Sequence, residues 1–222
     1  MGFEVWNPRP DYVKRVVSKL VDALSVPIAI DSLIPSEIRS GVKAGADMVL
    51  SLDIDNIEKV ANYVRDRLCV VIPYSSTRGW LPQNPAERLE LVSKLIEKAH
   101  RLGISNVVAD LILDPPIVGT PLKILYHYSL LKTRFPDIPT LIGVGNVVEL
   151  ADVDSIGMNA LLTFFAIEVG ISMLLTVEKS YKAQGSTREL AIAARMAAIA
   201  WIKRVPPKNI GIDLLIAKRK RP

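Results

Sequence analysis

Residues 140–170 read TLIGVGNVVELADVDSIGMNALLTFFAIEVG. Thr140 to Val144 is a short apolar run, as expected of a strand buried on both faces. It breaks at Gly145-Asn146 into a polar loop, and after Asp154-Ser155 a helix pattern begins. Strand, loop and helix in that order make one βα unit, and the chain repeats that unit in both directions. Upstream, PIAID, DMVLSL, CVVIPYS and NVVADLI are apolar runs of strand length. Each is followed by an amphipathic stretch: PSEIRSGVKAG, DNIEKVANYVRDRL, NPAERLELVSKLIEKAHRLG and TPLKILYHYSLLKTRF. The third of these carries the fullest helix punctuation, with Asn84 as cap, Pro85 in the first turn and Gly103 as stop. Downstream, SMLLTV is a strand, STRELAIAARMAAIAWIKRV a helix capped at Ser186 or Thr187 toward Glu189, and IGIDLLIA a last strand. GFEVW and PDYVKRVVSKLVDAL supply a first strand and helix.

Eight strands alternate with seven helices. Strict alternation leaves a (βα)8 TIM barrel or a doubly wound sheet. The strand count favours the α/β barrel, and no Gly-x-Gly-x-x-Gly loop follows the first strand. With no repeat or linker dividing the chain, one domain over residues 1–217 is expected, with 218–222 a basic tail. The segment Ile210 to Ala217 is expected to fill the gap between SMLLTV and GFEVW and close the sheet, because an open edge exposes unpaired backbone groups.

Half of the 222 residues are apolar, enough for one sizeable core. No apolar run reaches the length of a membrane span, and the N-terminus lacks the order of a signal peptide. A single cysteine, Cys69, excludes an internal disulfide and fits a cytoplasmic setting. Scarce glutamine, only Gln83 and Gln184, points to a thermophile. The net charge is +5, of which Lys218, Arg219, Lys220 and Arg221 supply four, so the basic character belongs to a tail and not to a face. Neither a nucleic acid nor a membrane is the expected partner.

In a barrel the chemistry collects where strands end. Those ends carry Asp31-Ser32, Ser51 and Asp53, Tyr74-Ser75-Ser76, Asp110, Gly145-Asn146 and Glu178-Lys179. Asp110 lies inside an apolar strand, VVADLIL, where an unpartnered carboxylate would be costly, so a ligand-facing role is expected of it. Asp114, before Pro115-Pro116, reads as a turn residue. His100 and His127 fall within amphipathic helices, which argues against a histidine metal site or a Ser-His-Asp triad. No metal is expected. Asp, Asn and Ser without histidine suit a polar heterocycle: a carboxylate accepts two parallel hydrogen bonds from a 2-amino-pyrimidinone edge, and an asparagine amide offers a donor and an acceptor. The polar connections 75–85 and 178–186 are expected at the mouth of the barrel as mobile loops, with Trp80 or Tyr181 as a lid.

Three stretches resemble the pterin-binding superfamily. IDSLIPSEIRSGVKAGADMVLS resembles its Asp-Ser strand end and the helix that closes on Ala-Gly-Ala. ERLELVSKLIEKAHRLGISNVVADLILDPP and LIGVGNVVELADVDSIGMNALL are similar to segments of the folate-dependent corrinoid methyltransferases. The overall likeness is to archaeal dihydropteroate synthase-related proteins. The resemblance implies a (βα)8 barrel that binds a reduced pterin of the folate or methanopterin type. It places Asp31, Asp110 and Asn146 at the pterin, with Asn159 in the helix that follows the Gly-Asn segment, and Ser51, from its strand end, is expected as a further pterin contact.

The chain departs from true dihydropteroate synthases in lacking their Arg-Lys pair, since GVGNVVE stands there. It also lacks their Arg-x-His on the last strand, where LLTVEKS stands. Transfer of a one-carbon or pterin-methyl group is therefore the implied reaction, with Asn146 as the catalytic residue polarising N5. A corrinoid protein as second substrate and a homodimer complete the expectation. The alternative is a non-catalytic pterin-binding module of a larger protein.

Overall fold

The computed structural model describes residues 7–216. The predicted strand GFEVW and the basic tail lie outside the described residues. The chain divides into two compact units, Met1–Leu111 with Phe135–Pro139, and Ile112–Arg134 with Thr140–Pro222.

In the first unit the order is α1 (Pro10–Ala23), β1 (Ala29–Asp31), α2 (Pro35–Lys43), β2 (Met48–Leu52), α3 (Ile57–Val64), β3 (Leu68–Val71), α4 (Pro85–Arg101) and β4 (Val107–Ala109). The four strands form one parallel sheet in the order β1-β2-β3-β4. Val49, Cys69, Val70, Val71, Val108 and Ala109 are all fully buried, which is why the strands read as continuous apolar runs and not as alternating ones. Helix boundaries follow local chemistry. Pro10, Pro35 and Pro85 open α1, α2 and α4. The Asn84 side chain accepts a hydrogen bond from Ala86 N at 3.0 Å, and Gly103 adopts φ +82° just beyond α4. Cys69 is buried among carbonyls, and desolvation pushes its thiol up to about 12, so it is an inert core group.

The second unit holds α5 (Pro121–Arg134), β5 (Leu141–Gly143), a one-turn helix α6 (Gly145–Val148), α7 (Ser155–Val169), β6 (Met173–Leu175) and α8 (Ser186–Lys203). Strands β5 and β6 pair in parallel. The buried Tyr128 of α5 donates its hydroxyl to Leu141 O at 2.7 Å, fixing the helix against β5. Helix α7 turns Ser155, Asn159, Thr163 and Ala166 inward, and α8 is its chief helix neighbour.

One expectation needs correction. Six strands, all in parallel pairs, are present among the described residues. Residues 210–216, expected as the closing strand, form none. Alternating apolar residues become a strand only where a neighbouring strand accepts their hydrogen bonds. Here Ile212, Leu214 and Leu215 instead share a cavity of about 400 Å³ with Ile156 and Phe164 of α7 and Met196 of α8. Among the described residues no helix is long and apolar enough to cross a membrane.

Candidate functional site

The carboxyl edge of the first unit's sheet gathers polar side chains from consecutive strands. Ligands in parallel α/β sheets bind outside this edge. Asp31 is the last residue of β1. Its carboxylate reaches solvent, yet the protein packed beside it pushes the carboxyl above the ordinary aspartate range by desolvation. Ser32 is committed to the following turn: its hydroxyl donates to Glu37 Oε2 at 2.7 Å and accepts from Ile34 N at 3.1 Å. Ser51 is half-buried near the end of β2, and its carbonyl accepts from Asn56 Nδ2 at 3.1 Å.

Asp53 is wholly buried. Its Oδ1 accepts from Asp55 N at 2.9 Å and Asn56 N at 2.8 Å, and its Oδ2 accepts from Ser76 N at 2.8 Å. Asn56 answers by accepting Asp53 N on Oδ1 at 3.0 Å. Asp53 is thus a pin that opens the turn into α3 and ties the loop after β3, and it is not an open ligand group. Burial and the Asp53 charge together raise the Tyr74 phenol above its usual range.

The loop 75–85 is held as well. Ser75 and Trp80 bridge through two backbone hydrogen bonds, of 2.9 and 3.1 Å. Asp55 Oδ2 accepts from Ser75 Oγ, Thr77 N and Thr77 Oγ1 at 2.7 to 3.0 Å. Desolvation pushes the Asp55 carboxyl up, but these bonds and the Arg78 charge outweigh it and hold it below the ordinary value. The Arg78 guanidinium stacks on Trp80, 5.3 Å from the ring centre. The loop expected to be mobile is therefore cross-tied at several points.

Asp110 follows β4 and is only 8% exposed, while its backbone N donates to Val71 O at 3.0 Å. Arg88 of α4, 1% exposed, reaches the next residue: its Nη1 donates to Leu111 O at 3.5 Å and its Nε donates to Pro82 O at 2.6 Å. Sequence reasoning missed Arg88 entirely. The available signal was a cation at position 88 within the apolar stripe Val92, Leu95, Ile96, Ala99.

In the second unit Asn146 is exposed and belongs to α6, so β5 runs into a helical turn and not into the expected open loop. Its Nδ2 donates to Leu113 O at 3.1 Å, and its amide folds back over Gly143, where an added Cβ would lie 3.4 Å from Nδ2. One Nδ2 hydrogen is used; the second and the acceptor Oδ1 are what Asn146 has left to offer. Asn159 is fully buried in α7 and donates Nδ2 to Glu189 Oε2 of α8 at 2.8 Å, while its Oδ1 has no partner among the described residues.

Glu178 accepts from Gly185 N at 2.9 Å and Thr187 N at 2.8 Å, so it is the N-terminal cap of α8 and replaces the Ser186 or Thr187 cap expected from sequence. Those bonds hold its carboxyl below the usual glutamate range. The sign follows from proton linkage: a lowered folded pKa gives stabilisation that is present above the ordinary value, ~4.3, and is lost as pH falls through the lower folded one. Protection of the Gly185 and Thr187 amides, after correction for the intrinsic pH dependence of exchange, should therefore fall on acidification through that window. That fall should vanish in Glu178→Gln, whose protection is lower throughout. Glu149 anchors the same loop, accepting from Lys179 N at 2.8 Å.

A cavity of about 600 Å³ is lined by Phe164, Ile167, Trp201 and Val205 and by none of these strand-end residues. Among the described residues no group of three or more His, Cys, Asp or Glu is placed to hold a metal ion.

The chain superposes on dihydropteroate synthases. That of Yersinia pestis, solved with a pterin–sulfa conjugate, gives a TM-score of 0.64 at 16% identity, covering 89% of this chain and 79% of that one. Those of Vibrio fischeri and Thermus thermophilus give 0.61 and 0.59, at 13% and 16% identity, covering 93% and 85% of this chain and 78% and 76% of theirs. The α/β fold is that of the dihydropteroate synthases. An uncharacterized protein of Methanocaldococcus jannaschii is 33% identical over 215 residues, which is 95% of this chain and 41% of the relative. The chain thus spans about two-fifths of that relative's length. No protein-family model matches the sequence.

Proposed function

We propose that this chain binds a reduced pterin of the folate or methanopterin type on a (βα)8 barrel frame. What carries the proposal is Asp110, a carboxylate that is 8% exposed at the carboxyl edge of a parallel sheet, in a fold shared with proteins one of which is solved with a pterin conjugate. Asp110 accepts the two parallel N–H groups of the 2-amino-pyrimidinone edge. Asp31 and Ser51, at neighbouring strand ends of the same sheet, hydrogen-bond the ring.

The reaction in this proposal is transfer of a methyl group from pterin N5 to a corrinoid protein. The N5–CH3 bond breaks, the acceptor's electron pair forms the new bond to carbon, and N5 keeps its own pair and takes a proton. Leu113 O holds one Nδ2 hydrogen of Asn146 and so fixes its amide, and its Oδ1 orients a water that passes that proton to N5. A second reading, a pterin-binding module of a larger protein without chemistry of its own, is favoured by the length of the M. jannaschii relative, of which the match fills 41%.

Calorimetry with tetrahydrofolate tests the binding, and turnover of methyl-tetrahydrofolate with cob(I)alamin tests the chemistry. Asn146→Ala should lower turnover well beyond any loss of binding if it handles the proton, and should weaken binding alone in a module. Absence of pterin binding by the parent protein overturns both readings.

A further inference from the structure

Among the described residues, Arg88 is the one cation in the set of largest fully buried side chains. It sits near the start of α4, on the stripe that continues through Val92, Leu95 and Ala99. Two costs attach to it there. A guanidinium is expensive to take out of water. A positive charge in the first turns of a helix also opposes the helix dipole. An aliphatic side chain would continue the stripe at neither cost, so packing does not explain this residue.

Its hydrogen bonds do. Nε reaches Pro82 O at 2.6 Å, in the connection after β3, and Nη1 reaches Leu111 O at 3.5 Å, one residue past Asp110. A single planar group therefore holds two separate strand-end segments. We propose that Arg88 is the positioning residue of the site: it clamps the backbone that presents Asp110 to the loop 75–85 and so fixes the direction of the Asp110 carboxylate. The inference rests on the pterin reading only for the ligand that Asp110 meets. The fork geometry matters, because guanidinium N–H groups point along fixed directions in one plane. A lysine ammonium at the same place carries the charge but has neither the reach nor the plane to hold both carbonyls.

The test pairs a ligand-free readout with a binding readout on Arg88→Lys, with Arg88→Gln made alongside in case the lysine variant does not fold. In the ligand-free protein, amide exchange at residues 80–84 and 110–113 should rise together in the variant while the β2 and β3 amides stay protected. Tetrahydrofolate binding should weaken by about ten-fold, the loss of one charge-assisted contact through misdirection of Asp110. Exchange that rises in one segment alone, or in neither, overturns the clamp. A variant that melts earlier but binds as the parent does overturns it too, since that is the signature of a structural arginine. A parent that binds no tetrahydrofolate refutes the pterin proposal instead, and the exchange arm still decides the clamp.

Discussion

Asp53→Ala is expected to cost about 3–4 kcal/mol of folding stability, because three backbone N–H groups lose their acceptor in a buried place. The donors belong to Asp55, Asn56 and Ser76, and the carboxylate that serves them has no exposed surface. Two of them form the turn that leads into α3, where Asp53 O also accepts from Ile57 N at 3.3 Å. The third belongs to the loop after β3, so one side chain stabilises two connections at once. Each unsatisfied buried donor costs about 1–3 kcal/mol, and entry of water at the loop side offsets part of the sum. Asp53→Asn should recover only part of the loss, since an amide has one acceptor oxygen for three donors. Urea unfolding of the two variants and the parent checks this. A change below about 1 kcal/mol in the alanine variant would mean that the three N–H groups find other partners.

Asp110→Asn should weaken pterin binding by about ten-fold or more. The two side chains have the same shape, and the Asp110 N to Val71 O hydrogen bond belongs to the backbone. What changes is the chemistry at the ligand: an ionised acceptor of two N–H groups becomes an amide that presents its own N–H to one of them. A charge-assisted hydrogen bond contributes about 1.5–3 kcal/mol, and 1.4 kcal/mol is ten-fold in affinity. Asp31→Asn should lose less, because Asp31 reaches solvent and water compensates there. Calorimetry with tetrahydrofolate on both variants decides the ranking. Equal affinity of Asp110→Asn and the parent would remove Asp110 from the site.

Local patterns in the sequence were enough to locate six of the predicted strands and all seven predicted helices, though not the one-turn α6, because each is encoded within a few residues of itself. Asn84 and Pro85 start α4 by filling its first-turn valences, and apolar runs such as CVV and VVA can only be strands covered on both faces. Local patterns also placed Asp31, Ser51 and Asp110 at strand ends, since a strand's last residue follows from its apolar run.

The use each polar group finds was not legible there, because its partners are distant in the chain. Asp53 meets Ser76 23 residues on, Arg88 meets Leu111 at the same separation, and Asn146 meets Leu113 33 residues back. Without those partners Asp53 and Glu178 look like open carboxylates at strand ends, and Arg88 looks like a surface charge. The last apolar segment shows the same limit: residues 210–216 have a strand's composition, but a strand also needs a neighbour's hydrogen bonds, and these residues lie against α7 and α8 instead. Secondary structure depends on short-range sterics and periodicity, which one stretch of sequence contains. The fate of a buried donor or charge depends on which acceptor the folded chain brings within 3 Å, and only the tertiary structure decides that.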